Sequence, residues 1–157
     1  MEAKIGNTSK NLLEVARALN DILADEYVLY TKTRNAHWNV EGPDFHAQHL
    51  FFEDQYKQLE DIVDNVAERI RVLGHYAEAT LGSFLKLTHL SEQTREKNDS
   101  HGFIKELLSD HESVIKELRE RVDQMANEWH DMGTSDFVTN LMEKHEKMAW
   151  MLRAHLR

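Results

Sequence analysis

His49, Glu53, Asp64 and Glu68 have the types and the spacing to hold a metal ion. They lie in a stretch that opens N-A-H-W-N-V-E-G-P-D-F at Asn35 and closes on Gly74. Gly42-Pro43 breaks the stretch, because proline suits the first position of a helix and glycine the position outside it. The pattern predicts a helix from Pro43 to Gly74, with the closing glycine as its C-terminal cap. At about 100° per residue, with His49 at zero, Glu60 falls at about 20°, Glu53 at about 40°, Asp64 at about 60° and Glu68 at about 100°. Leu59, Val63, Val66, Ile70 and Leu73 fall between about 240° and 320°. An acidic, histidine-bearing stripe thus runs beside an apolar face, and imidazole and carboxylate ligands suit iron, manganese or zinc.

Distance limits how such a site can be built. Glu53 and Asp64 are about 16 Å apart along a helix, which one ion cannot span. His49 with Glu53, and Asp64 with Glu68, are each i,i+4 pairs able to share one ion. A single site using both pairs needs two antiparallel copies of the helix about a twofold axis, and that symmetry gives two equivalent sites per pair. The bland alternative is a solvated face, Glu60 foremost, with Lys57 and Arg69 neutralising other carboxylates. A typical di-iron bundle carries Glu-x-x-His motifs within one chain. No histidine here has a glutamate three residues before it, which points away from a centre inside the bundle and towards one between subunits.

The elements around this stretch are helical. Asn7, Thr8 or Ser9 can cap a first helix, in which Leu12, Ala16, Leu19, Leu23, Tyr27 and Tyr30 recur at helical spacing. His37 continues that stripe, where a lone histidine is more often a core residue than a ligand. Trp38 beside it is most simply packing. The very short turn before the second helix makes the two antiparallel neighbours. The span from His75 to Asp99 is long enough to cross a bundle, and Leu81–Leu87 within it can form a short helix. Phe103, Leu107, His111, Val114, Leu118, Val122, Met125 and Trp129 stripe a third helix, with His111 structural or exposed. Met132-Gly133 is expected to end it and Thr134 to cap a fourth, lined by Phe137, Leu141, His145, Met148 and Leu152. The reading is all-α: a ferritin-like four-helix bundle with a long crossover carrying a short helix between the second and third helices.

The totals set the class. A chain of 157 residues fits one domain, behind a short N-terminal tail at about residues 1–8. The absence of cysteine excludes disulfides, thiolate zinc sites and thiol catalysis. No apolar run reaches the length of a membrane span, and the first ten residues lack the apolar core of a secretory signal, so a cytoplasmic protein is expected. The formal charge of −9 opposes binding to nucleic acid and favours attraction of cations.

At the residues that carry chemistry the chain resembles the Dps family, the miniature ferritins. The likeness rests on His37-Trp38-Asn39-Val40, Gly42, Phe45, His49, Glu53, Tyr56, Asp64, Ala67-Glu68-Arg69-Ile70 and Gly74, and extends to Lys144–Lys147 and Trp150–Leu156. The resemblance implies a hollow dodecamer of four-helix subunits with ferroxidase centres at twofold interfaces. It implies that His37, His49 and Glu53 come from one subunit and Asp64 and Glu68 from its partner. Glu53 departs from the aspartate that many members carry. The implied activity is oxidation of Fe²⁺, preferably by hydrogen peroxide, with ferric iron stored inside as protection against oxidative stress. Zinc is a competing occupant, since it accepts the same ligands. Trp38 matches a family tryptophan beside the centre, where it either intercepts oxidising equivalents or packs the interface. Asp131 and Asp136 match the region that lines acidic pores at threefold axes, an alternative to a loop residue and a helix-start residue. DNA-binding members often carry a tail rich in lysine and arginine. Here the first ten residues hold only Lys4 and Lys10, offset by Glu2, which makes direct DNA compaction doubtful and leaves a DNA-compacting nucleoid role as the alternative function.

Overall fold

The computed structural model describes residues 3–157. Five α-helices follow in order: α1 (Ser9–Asn39), α2 (Phe45–Val72), α3 (Leu81–Leu87), α4 (Ser100–Asp123) and α5 (Met132–Ala154), with a π-helical turn over Gln124–Glu128 after α4. The four long helices form the bundle, α1 packing along α2 and α4 along α5, while the short α3 lies on α1. The expected ferritin-like class and the short helix in the crossover are both present. Of the expected tail, residues 1 and 2 lie outside the described residues. Of the remainder, Ala3 packs against the core and the Asn7 amide donates to the Trp129 carbonyl at 2.9 Å.

Thr8 caps α1, its hydroxyl accepting from the Asn11 N–H at 3.2 Å. The α1–α2 turn needs Gly42, whose φ of +130° is open to glycine and costly for other residues. The turn also delays α2 beyond the expected Pro43. Pro43 and Asp44 remain in the turn and the helix begins at Phe45. Gly74, with φ of +88°, terminates α2 as expected. Leu19, Ile22, Phe52, Leu59, Ile70, Phe103, Leu107, Leu118 and Leu152 fill the centre of the bundle.

The crossover is fastened by buried charges. Asp25 of α1 accepts from the Thr88 hydroxyl and the His89 N–H, both at 2.7 Å. Glu106 of α4 accepts from the Arg95 N–H at 3.2 Å and its guanidinium at 2.8 Å, and also from Thr94. Lys32 bridges the elements, reaching Asp110 at 2.6 Å and the Ser91 carbonyl at 2.7 Å. Burial alone would raise the Glu106 carboxyl, but Thr94, Arg95 and Lys32 together hold it below its ordinary value. At Asp110 burial wins over Lys32 and the carboxyl is raised.

The expected boundary between the last two helices shifts. Met132 and Gly133 do not end a helix; they begin α5, and Asp131 rather than Thr134 is its cap. The π-helical turn has already widened and closed the preceding helix, with the Asp131 N–H donating to the Met125 carbonyl at 2.8 Å.

Candidate metal centre

His37 lies near the end of α1 and His49 in the first turns of α2, so the tight turn brings them together. Their rings stack with centroids 3.8 Å apart and planes 21° from parallel. The Nδ1 of His37 lies 2.8 Å from the His49 carbonyl, and the Nδ1 of His49 lies 2.7 Å from the His37 carbonyl. A carbonyl can only accept, so each Nδ1 carries the proton and each Nε2 keeps a free lone pair. This is the tautomer and the outer hydrogen bond that metal-ligating histidines use. Glu53 sits one turn beyond His49, and ligand atoms of His37, His49 and Glu53 all lie within 4.8 Å of one another. Two imidazoles and one carboxylate with the remaining positions open form a donor set suited to non-haem ferrous iron.

His37 is buried, while His49 and Glu53 are half-buried. The Tyr56 ring stands edge-on to His37 at 5.1 Å and Phe45 lies 5.2 Å from His49, so aromatic walls fix both imidazoles. The Glu53 carboxylate accepts from the Lys57 ammonium. That bond, then the lysine's charge, holds the Glu53 carboxyl below its ordinary value, so it is ionised at neutral pH.

Asp64 and Glu68 lie on the exposed face of α2 further along, and neither side chain has a hydrogen bond or ion pair among the described residues. Within one chain they do not join the three-residue cluster. Trp38 is 66 % exposed, with the Arg34 guanidinium 5.8 Å from its ring. Asp131 is occupied rather than free. Its carboxylate accepts from the Thr134 N–H at 2.9 Å and hydroxyl at 2.6 Å, and lies 3.6 Å from the Arg69 guanidinium. Arg69 therefore serves this turn and not the acidic stripe. Asp136 is exposed one turn into α5.

A second polar cluster, absent from the reading of the sequence, sits in the middle of the bundle. His145 Nε2 lies 2.8 Å from Glu26 Oε1, and His145 Nδ1 lies 2.9 Å from His111 Nδ1. All three side chains are buried, His111 without exposure. The signal in the sequence is that Glu26, at i+3 from Leu23 and i−3 from Leu29, is like His111 and His145 a polar residue inside an apolar stripe.

A model of the ferritin-like domain family matches residues 16–157. A DNA protection during starvation protein of Helicobacter pylori is 38 % identical over 138 residues, which cover 88 % of this chain and 95 % of that protein. The chain is a ferritin-like protein of the Dps family. A low temperature-induced protein of Nostoc sp. is 41 % identical, covering 97 % of this chain and 85 % of the relative. Among solved structures, the Dps protein of Vibrio cholerae O1, described as a member of a broad superfamily of ferritin-like diiron-carboxylate proteins, superposes with a TM-score of 0.92. It is 31 % identical and the match covers 99 % of this chain and 97 % of that one. Among the described residues of this Dps-family chain, no helix is long and apolar enough to cross a membrane.

Proposed function

We propose that this protein is a cytoplasmic ferroxidase and iron store. In this reading one ferritin-like domain behind a short tail assembles into a hollow homododecamer that oxidises Fe²⁺, preferably with hydrogen peroxide, and sequesters the ferric product. The observation that carries it is the His37–His49 pair, whose two Nε2 atoms are left free beside the Glu53 carboxylate. Asp64 and Glu68 complete the site from a second copy, since helix geometry keeps them from the first three ligands in their own chain.

Fe²⁺ is substrate and cargo here. The imidazoles hold it at the rim of the protein, and the carboxylates favour the harder ferric ion once it forms. Each of two ferrous ions gives one electron to peroxide, the O–O bond breaks, and two protons complete two waters. Because both electrons are delivered, no hydroxyl radical is released. Trp38, exposed in one chain, is covered by the partner in this arrangement and stands by to take up stray oxidising equivalents. Zinc, accepting the same donors, competes for the site. Asp136, and Asp131 where its cap allows, contribute to an acidic pore at the threefold axis that draws in iron. The acidic surface argues against direct DNA compaction.

The test is anaerobic loading with Fe²⁺ followed by peroxide, recording stoichiometry and mineral size. About two ferrous ions consumed per peroxide, with iron retained in the shell, supports the reading. Oxidation no faster than in protein-free buffer overturns it.

A further inference from the structure

The stripe of α2 that carries His49, Glu53, Asp64 and Glu68 holds two cations, Lys57 and Arg71, and Arg71 is committed to the His75 carbonyl at 2.8 Å at the far end of the helix. Lys57 falls at about 80° on the same wheel, between Asp64 and Glu68, so it shares their face. Its side chain is 59 % exposed and, in the single chain, is paired with Glu53, one of the three ligands. A carboxylate cannot give its full charge both to an ion and to an ammonium, so Lys57 needs another partner once the site fills.

The shared centre supplies that partner. Bringing one copy's His49 and Glu53 to the other's Glu68 and Asp64 places the dyad midway between Gln58 and Leu59, whichever of the two cross-copy pairs is used to find it. Lys57 then lies level with Glu60 of the partner subunit. Both are about 2 Å along the axis from the dyad, where the helix crossing angle displaces residues least. Glu60 is exposed and already oriented, accepting from the Tyr30 hydroxyl at 3.4 Å. Without the two lysines, pairing would set carboxylate against carboxylate across the dyad, a costly arrangement.

We propose that Lys57 changes partners on pairing: it holds Glu53 in the separate chain, and across the twofold axis it pairs with Glu60 of the partner subunit, leaving Glu53 to the metal. The proposal rests on the reading of a centre shared between copies. It makes metal binding and pairing reciprocal, because an ion on Glu53 releases the lysine that joins the copies.

A charge swap tests it. Lys57→Glu and Glu60→Lys should each weaken association of the copies by about tenfold or more at low salt, and the double variant should recover most of the loss. Sedimentation reads the assembly. Far-UV circular dichroism should stay that of the wild type, since both positions are exposed. Lys57→Gln, which deletes the cation without adding a carboxylate, should show a smaller loss that shrinks as salt rises. Single variants that assemble like the wild type, or a double variant no better than the singles, overturn the proposal. Zn²⁺ titration separates this from the function: recovered assembly without Zn²⁺ binding supports the Lys57–Glu60 pair and removes the metal centre. Wild-type Zn²⁺ binding with assembly indifferent to the charges keeps the centre and removes the pair.

Discussion

Two histidine pairs in this bundle have opposite fates. His37 and His49 stack at the edge of the α1–α2 turn, each spending its Nδ1–H on the other's backbone carbonyl. Backbone has absorbed their protons, so both Nε2 atoms remain available beside Glu53. His111 and His145 sit at the centre of the bundle and meet Nδ1 to Nδ1, with the far nitrogen of His145 against Glu26 and the buried Nε2 of His111 left without a partner. Their contacts pass from Glu26 through both nitrogens of His145 to His111 instead of converging on one point, and all three side chains are fully buried. What would let one histidine pair bind metal and not the other is the group that accepts each outer hydrogen bond. A carbonyl leaves the ring free to ligate, whereas a carboxylate and a second imidazole tie it into the core.

The sharpest break of this comparison is removal of one ligand from each half of the proposed centre. His49→Ala and Asp64→Ala should each lower the initial rate of Fe²⁺ oxidation to that of Fe²⁺ in protein-free buffer, read by ferric absorbance, while the chain still folds. Mixing the two variants after dissociation should restore part of the rate, because some hybrid pairs regain one intact site. Full activity in either variant would remove the assigned centre, and no recovery in verified hybrids would place it within one subunit.

That half of the molecule was legible because its signal is local. His49, Glu53, Asp64 and Glu68 stand on one helix at spacings a wheel can read, and the Gly42-Pro43 turn announces the bend that brings His37 to His49 and Glu53. His37 alone looked like a core residue; its role depends on a carbonyl, which sequence does not display. The buried pair was illegible for the opposite reason. Glu26, His111 and His145 come from three helices, and each alone looks like a single misfit in an apolar stripe. The turn before α5 was misread because Thr134 and Asp131 are both good caps, and only the π-helical widening decides that Asp131 fills the position.

A smaller effect should appear when the buried pair is cut. His145→Ala leaves Glu26 as an unpaired buried acid and opens a cavity, at a cost of about 3 kcal/mol or more in stability. Denaturant unfolding of the assembled protein measures it. The folded fraction should oxidise Fe²⁺ at the wild-type rate, since this cluster takes no part in the chemistry. A folded His145→Ala protein with impaired oxidation would merge the two pairs into one functional system.

The smallest effect is a pH slope, and it separates the pairs by their protons. Burial, and then the charge of His145, push the His111 pKa well below the ordinary histidine value. In the unfolded chain His111 titrates near its ordinary value of about 6.5. Below that pH the unfolded state takes up a proton that the folded state refuses. Stability is therefore unaffected by this group above about pH 7 and falls as pH drops below about 6.5. The slope from one proton approaches about 1.4 kcal/mol per pH unit and continues down to the depressed folded value. His111→Gln keeps a hydrogen-bonding side chain of similar size but has no proton to refuse. Its stability should consequently change less steeply than the wild type between pH 6.5 and 5, by up to that one-proton slope, when both are unfolded in denaturant at each pH. Parallel curves would mean that His111 accepts its proton inside the bundle after all. The Glu26 carboxylate would then be balancing two charged imidazoles, and the buried pair would be a proton store, not an inert tie.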